Sequence, residues 1–135
     1  MKKILSAIIC VVVLIGCIPI NTFAVGEISP YYNNTQRTTT NFTISDSGVA
    51  KVRISYNGYK DTTTGATIKT KIQKSFLFFF WSDVTSWTDE ASGHYYSTTH
   101  STSVDSGTYR AIVEYTIRGT GGSADVITEQ LEYSY

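Results

Sequence analysis

Cysteine is nearly absent from this chain: its 135 residues hold two, Cys10 and Cys17, and both fall in an apolar N-terminal stretch. Beyond residue 24 there is therefore no disulfide, no Cys-containing zinc site and no thiol nucleophile. Charge of either sign is also scarce there. Nine basic side chains face eleven acidic ones, a net of −2, which leaves no basic excess for a nucleic-acid partner. Proline occurs only twice, and no segment beyond residue 24 repeats apolar residues at the spacing of a helix. What is abundant is Ser and Thr, which supply 33 of residues 25–135, together with ten Tyr. That composition suits extended strands with polar outer faces.

The N-terminus reads as an export signal. Lys2 and Lys3 precede an apolar run from Ile4 to Ile15, Pro19 interrupts any helix, and Thr22-Phe23-Ala24 gives a signal peptidase its small residues before Val25. The organisation read from this is a signal peptide at 1–24, an extended lead-in at 25–36 and a single β-sandwich domain at 37–135, in a secreted product. Leu14-Ile15-Gly16-Cys17 also matches a lipobox, so the alternative is a protein lipid-anchored at the cell surface through Cys17.

Period-two alternation dominates the rest. Thr38, Thr40, Phe42 and Ile44 lead to the turn residues Asp46-Ser47-Gly48, after which Ala50, Val52, Ile54 and Tyr56 share one face opposite Lys51, Arg53 and Ser55. Ile68, Thr70 and Ile72 oppose Lys69, Lys71 and Gln73. The segment 82–93 is irregular and reads as a short edge strand with a loop, and 94–104 reads as a polar strand. Tyr109, Ala111, Val113, Tyr115 and Ile117 face inward from the clearest strand, 119–125 reads as a flexible turn, and 126–135 closes the domain. About seven short strands with no helix pattern predict an all-β, two-sheet antiparallel sandwich.

Asp105-Ser106-Gly107-Thr108-Tyr109-Arg110-Ala111 resembles the Asp-x-Gly-x-Tyr-x-Cys corner of the immunoglobulin superfamily, with Ala111 in the cysteine's place. The resemblance implies an Ig-like topology, a jelly roll being the alternative. It also implies structural roles for Asp105, Gly107 and Tyr109, whose hydroxyl would bond the backbone a few residues upstream. Ala50 stands at the plausible partner position, so packing alone would join the sheets. At larger scale the signal, Trp81-x-x-Val84-x-Ser86-Trp87 and Gly107-Thr108-Tyr109-Arg110 together resemble a family of small secreted Gram-positive, Clostridia-type proteins of unknown function. That likeness implies secretion and a small β domain, and it assigns no functional residue.

The chemistry-bearing residues form no recognisable reactive set. His94 and His100 lie six residues apart, about 20 Å along one strand, too far to share a metal ion. Asp89-Glu90 adjoin in sequence, point apart if on a strand, and read as a solvated loop. The chain has no Gly-x-Ser-x-Gly, no spaced acids that would cage calcium, and no lysine after Gly119-Thr120-Gly121-Gly122 to complete a phosphate cradle. The expectation is a non-enzymatic protein without cofactor or metal. From Lys51 to Lys74 six bases meet one acid, whereas from Ser75 onward eight acids meet two bases. Either the basic block grips an anionic cell-wall polymer, or Lys69 and Lys71 pair with Glu114 or Glu129 across neighbouring strands.

Phe76-Leu77-Phe78-Phe79-Phe80-Trp81 stands out. As a strand it sends Phe76, Phe78 and Phe80 one way and Leu77, Phe79 and Trp81 the other, and a two-layer sandwich buries one face only. The second face needs the arm 25–36, a second copy of the chain, a ligand or a membrane to cover it. The functional expectation is a secreted binding module that engages an extracellular protein or glycan through Phe79, Trp81, Trp87, Tyr95 and Tyr96, with homo-oligomerisation through Phe76–Trp81 as a further option. The alternative is a membrane-active secreted toxin or bacteriocin-like β protein.

Overall fold

The computed structural model describes residues 31–135, and the signal, lipobox and cleavage readings at 1–24 lie outside them. Tyr31–Tyr135 forms one compact unit. It holds seven strands: β1 (Thr35–Ile44), β2 (Val49–Gly58), β3 (Thr63–Phe76), β4 (Phe80–Ser92), β5 (Tyr95–Ser103), β6 (Thr108–Gly119) and β7 (Asp125–Ser134). They make two antiparallel sheets, ordered β1-β2-β5 and β4-β3-β6-β7. In immunoglobulin lettering this is A-B-E against C′-C-F-G, so the topology is Ig-like with the fourth strand beside the third. Every strand and every core residue among the described residues falls within Tyr31–Tyr135, so this unit carries its own hydrophobic core.

The alternation seen in the sequence becomes the core. Ala50, Val52, Ile54 and Tyr56 of β2 meet Tyr109, Ala111, Val113, Tyr115 and Ile117 of β6, with Ala66, Ile68 and Ile72 of β3 beside them, all buried. Ala50 and Ala111 are fully enclosed, so small side chains let the sheets approach where a disulfide is lacking. Three buried tyrosines pin the sandwich instead. The Tyr115 hydroxyl reaches across to the Thr39 carbonyl (3.1 Å) and Thr40 Oγ1 (2.7 Å) on β1, and burial pushes its phenol up to about 12. Tyr56 donates to the Gly93 carbonyl at 2.8 Å. Tyr109 donates to the Asp105 carbonyl at 2.8 Å and the Asp105 carboxylate at 2.6 Å, four residues upstream as a tyrosine corner requires.

Three segments depart from the sequence reading. The extended lead-in read over 25–36 overlaps the first strand, because β1 begins at Thr35. Asn33 and Asn34 give their backbone N–H groups to Asp125 (3.0 and 2.8 Å), Thr35 Oγ1 adds a third bond at 2.8 Å, and Asn34 is fully buried. This latch ties the N-terminal arm to the start of β7, which the flexible-turn reading of 119–125 did not anticipate. Segment 82–93 is no short edge strand with a loop but part of a full-length β4. Its register shifts between Ile72 and Gln73, so Val84 is the unpaired extra residue that broke the alternation. The aromatic run is no strand: β3 ends at Phe76, β4 starts at Phe80, and the three residues between them turn the chain back.

Candidate functional site

That turn contains no Gly, Asn, Asp or Pro. Leu77 and Phe78 occupy the left-handed region, with φ of 50° and 65°, successive conformations that hairpin turns ordinarily give to Asn and Gly. Each such residue costs about 1–2 kcal/mol when it carries a Cβ. Neither side chain recovers that by packing, because Phe76, Leu77, Phe78, Phe79 and Phe80 are all between 61% and 92% exposed. The hairpin therefore ends in a knob of five large apolar side chains. The described part of the arm does not cover it: Thr63 Oγ1 donates to the Asn34 carbonyl at the other end of the long β3.

Polar and aromatic residues collar the knob. Trp81 pairs with Ser75 and lies half-buried on the outer face of the four-stranded sheet, where the Arg110 guanidinium stacks 4.2 Å from its ring centre. Arg110 is held there by Gln73 Oε1 at 2.7 Å and has no carboxylate partner among the described residues. One step further back, Lys71 pairs with Asp83 at 3.1 Å. A Gln73 amide bond and Lys71 hold the Asp83 carboxyl below its ordinary value. Lys74 bonds Asp105 at 2.7 Å and leans over the Tyr109 ring, depressing the Asp105 carboxyl to about 2 while its own ammonium is raised, chiefly by that same bond.

The five residues singled out from the sequence do not form one surface. Phe79 and Trp81 belong to the knob and its collar. Trp87 and Tyr96 point into the open edge of the sandwich between β4 and β5, packed against the core. There Trp87 stacks on His100 at 4.8 Å, His100 Nε2 bonds Asp89 at 2.7 Å, and Tyr96 donates to the other Asp89 oxygen at 3.2 Å. Burial, aided by the Asp89 charge, raises the Tyr96 phenol. Asp89 and His100 are only 14% and 17% exposed, so the loop reading of Asp89 is overturned. Asp89 and Glu90 do point apart: Glu90 meets Arg118 and Thr67 on the outer face. With the Trp87 ring lying over His100, the pair seals an edge that backbone bonds leave open.

Tyr95 sits elsewhere again, exposed on the outer face of the three-stranded sheet. It helps line a shallow depression of about 430 Å³ with Asn41, Arg53, Ser55 and Ser97. His94 lies in the β4–β5 turn, outside the polar strand it was read to open. Of the proposed cross-strand pairs, Lys69–Glu114 forms at 3.8 Å, whereas Lys71 goes to Asp83 and Glu129 accepts from Thr38. Among the described residues no three His, Cys, Asp or Glu side chains gather as a metal site would need, and no helix is long and apolar enough to cross a membrane. Leu77 and Phe78 stood within the Phe76–Trp81 run without being picked out individually, and Arg110 beside Trp81 was not anticipated, since only the folded sheet brings those two together. The chain matches no model of a known protein family, and no curated protein matches it.

Proposed function

We propose that this protein is a secreted, non-enzymatic binding module whose contact element is the aromatic hairpin tip, Phe76 to Trp81. One observation carries the reading: five consecutive large apolar residues stand exposed on a turn whose backbone they strain. Neither core packing nor turn chemistry calls for Leu-Phe there, so contact with an apolar partner supplies the reason. The tip has no hydroxyl, amide or carboxylate among residues 76–80, whereas a sugar site needs polar groups placed to orient the ligand. An apolar partner surface therefore fits the tip better than a glycan does. Trp87 and Tyr96 leave the predicted contact set, since their rings close the sandwich edge.

Retention on intact cells tests this reading. Residues 25–135 should be held on cells of the producing organism or its neighbours, and Phe78→Ser/Phe79→Ser should be released while melting at the same temperature. Equal retention of both forms would refute a contact role for the tip.

A further inference from the structure

The shape and layering of the tip narrow its partner. A partner protein's groove would be met by one apolar face with a polar back, as strands and helices present to grooves. Here the hairpin end is apolar on every side: Phe76 and Phe80 flank the turn, and Leu77, Phe78 and Phe79 form it, all exposed. A convex finger with no polar side suits a medium that closes around it. Behind the finger the residues change in order. The turn and the Phe76–Phe80 pair come first, then Trp81 opposite Ser75, then Lys74, Lys71 and Arg110 with Asp83 and Asp105. At about 3.3 Å per residue the purely apolar cap is about 7–10 Å deep. That matches the depth to which interfacial elements sink into the boundary of headgroups and acyl chains. Trp then falls at headgroup level, where its ring and N–H are both accommodated, and the cations fall beside the phosphates.

Resting on the reading of the tip as a contact element, we infer that its partner is the interface of a lipid bilayer, which the hairpin enters end-on to the level of Trp81. The collar favours this without requiring anionic lipid. Lys71 and Lys74 are matched by Asp83 and Asp105, which leaves Arg110 as the single charge in the collar unmatched among the described residues. Its guanidinium, fixed over the Trp81 ring, faces lipid phosphate as a bidentate donor. The contact is a shallow wedge: five residues of a two-stranded hairpin cannot span about 30 Å of hydrocarbon.

Flotation with protein-free vesicles tests the inference. Residues 25–135, which lack the apolar N-terminal run, should float with pure phosphatidylcholine vesicles and gain little when phosphatidylglycerol is added. Phe78→Ser/Phe79→Ser and Leu77→Asn/Phe78→Gly should partition about tenfold or more less well, with melting temperatures no lower than that of the parent. A parent that stays off both vesicles, or variants that float equally well, would overturn the inference. Binding confined to anionic vesicles and unchanged in the variants would also overturn it, because the cationic face would then be the contact. A parent that ignores vesicles but is held on cells through its tip identifies a protein partner: the bilayer inference then falls and the binding-module reading stands.

Discussion

Replacing Leu77-Phe78 by Asn-Gly should stabilise the fold while removing its contact element. The two residues hold φ of 50° and 65°, and a residue with a Cβ pays about 1–2 kcal/mol in that region. Asn tolerates the conformation and Gly has no Cβ to clash, so the relief sums to about 2–3 kcal/mol. The added freedom of Gly in the unfolded chain takes back about 0.5–1 kcal/mol. Little packing is lost, because Leu77 is 63% and Phe78 92% exposed. The net is a gain of about 1–2 kcal/mol, which for a domain near 100 residues raises Tm by roughly 4–8 °C or more. Paired thermal melts and urea titrations read this directly. An unchanged or lowered midpoint would show that the two side chains hold the hairpin by packing, and the argument that they are kept for contact would fail.

Tyr109→Phe removes the corner bonds to Asp105 and should lower stability by about 0.5–1.5 kcal/mol in denaturant melts, with the strand order intact. Asp125→Ala strands three donors from Asn33, Asn34 and Thr35 and should cost about 2–4 kcal/mol, freeing the N-terminal arm to early hydrogen exchange. Thr70 Oγ1 is buried without a hydrogen-bond partner among the described residues, so Thr70→Val should raise the melting point, by about 1 kcal/mol of stability. Two limbs of the pH–stability curve are assigned. Asp105 is depressed to about 2 from 3.8, so its share is present above about pH 4 and is lost as pH falls toward 2; Asp105→Asn flattens that limb. Tyr115 is raised to about 12 from 10, so its share is intact below pH 10 and is lost as pH rises toward 12; Tyr115→Phe flattens that one.

The sandwich was legible because its inner faces alternate cleanly. Strands β2 and β6 place every second residue in the core, and a two-residue period needs no tertiary information to be read. The corner at Tyr109 was legible because its bonds are local, four residues apart. Strand β4 was obscured by one residue, Val84, whose bulge reverses the phase between Trp81 and Trp87 and sends the two indoles to opposite faces. The aromatic hairpin was hidden for a different reason. Its turn is built from Leu and Phe in conformations that Gly and Asn normally mark, so nothing in the local residue types announced a reversal. The Asp125 latch and the Asp89–His100 pair join residues 90 and 11 positions apart, and only the closed sandwich brings them together.

Quenching of tryptophan fluorescence by bromine placed at defined depths on the acyl chains measures the entry of the tip most directly. Trp81 stands one strand position behind Phe80, whereas Trp87 is stacked under His100 at the sandwich edge. Shallow bromines should quench the parent protein more than deep ones do, and Trp81→Phe should abolish the effect while leaving Trp87 emission unchanged. Equal quenching in the parent and in Trp81→Phe, or none at any depth, would contradict an end-on insertion of the aromatic hairpin.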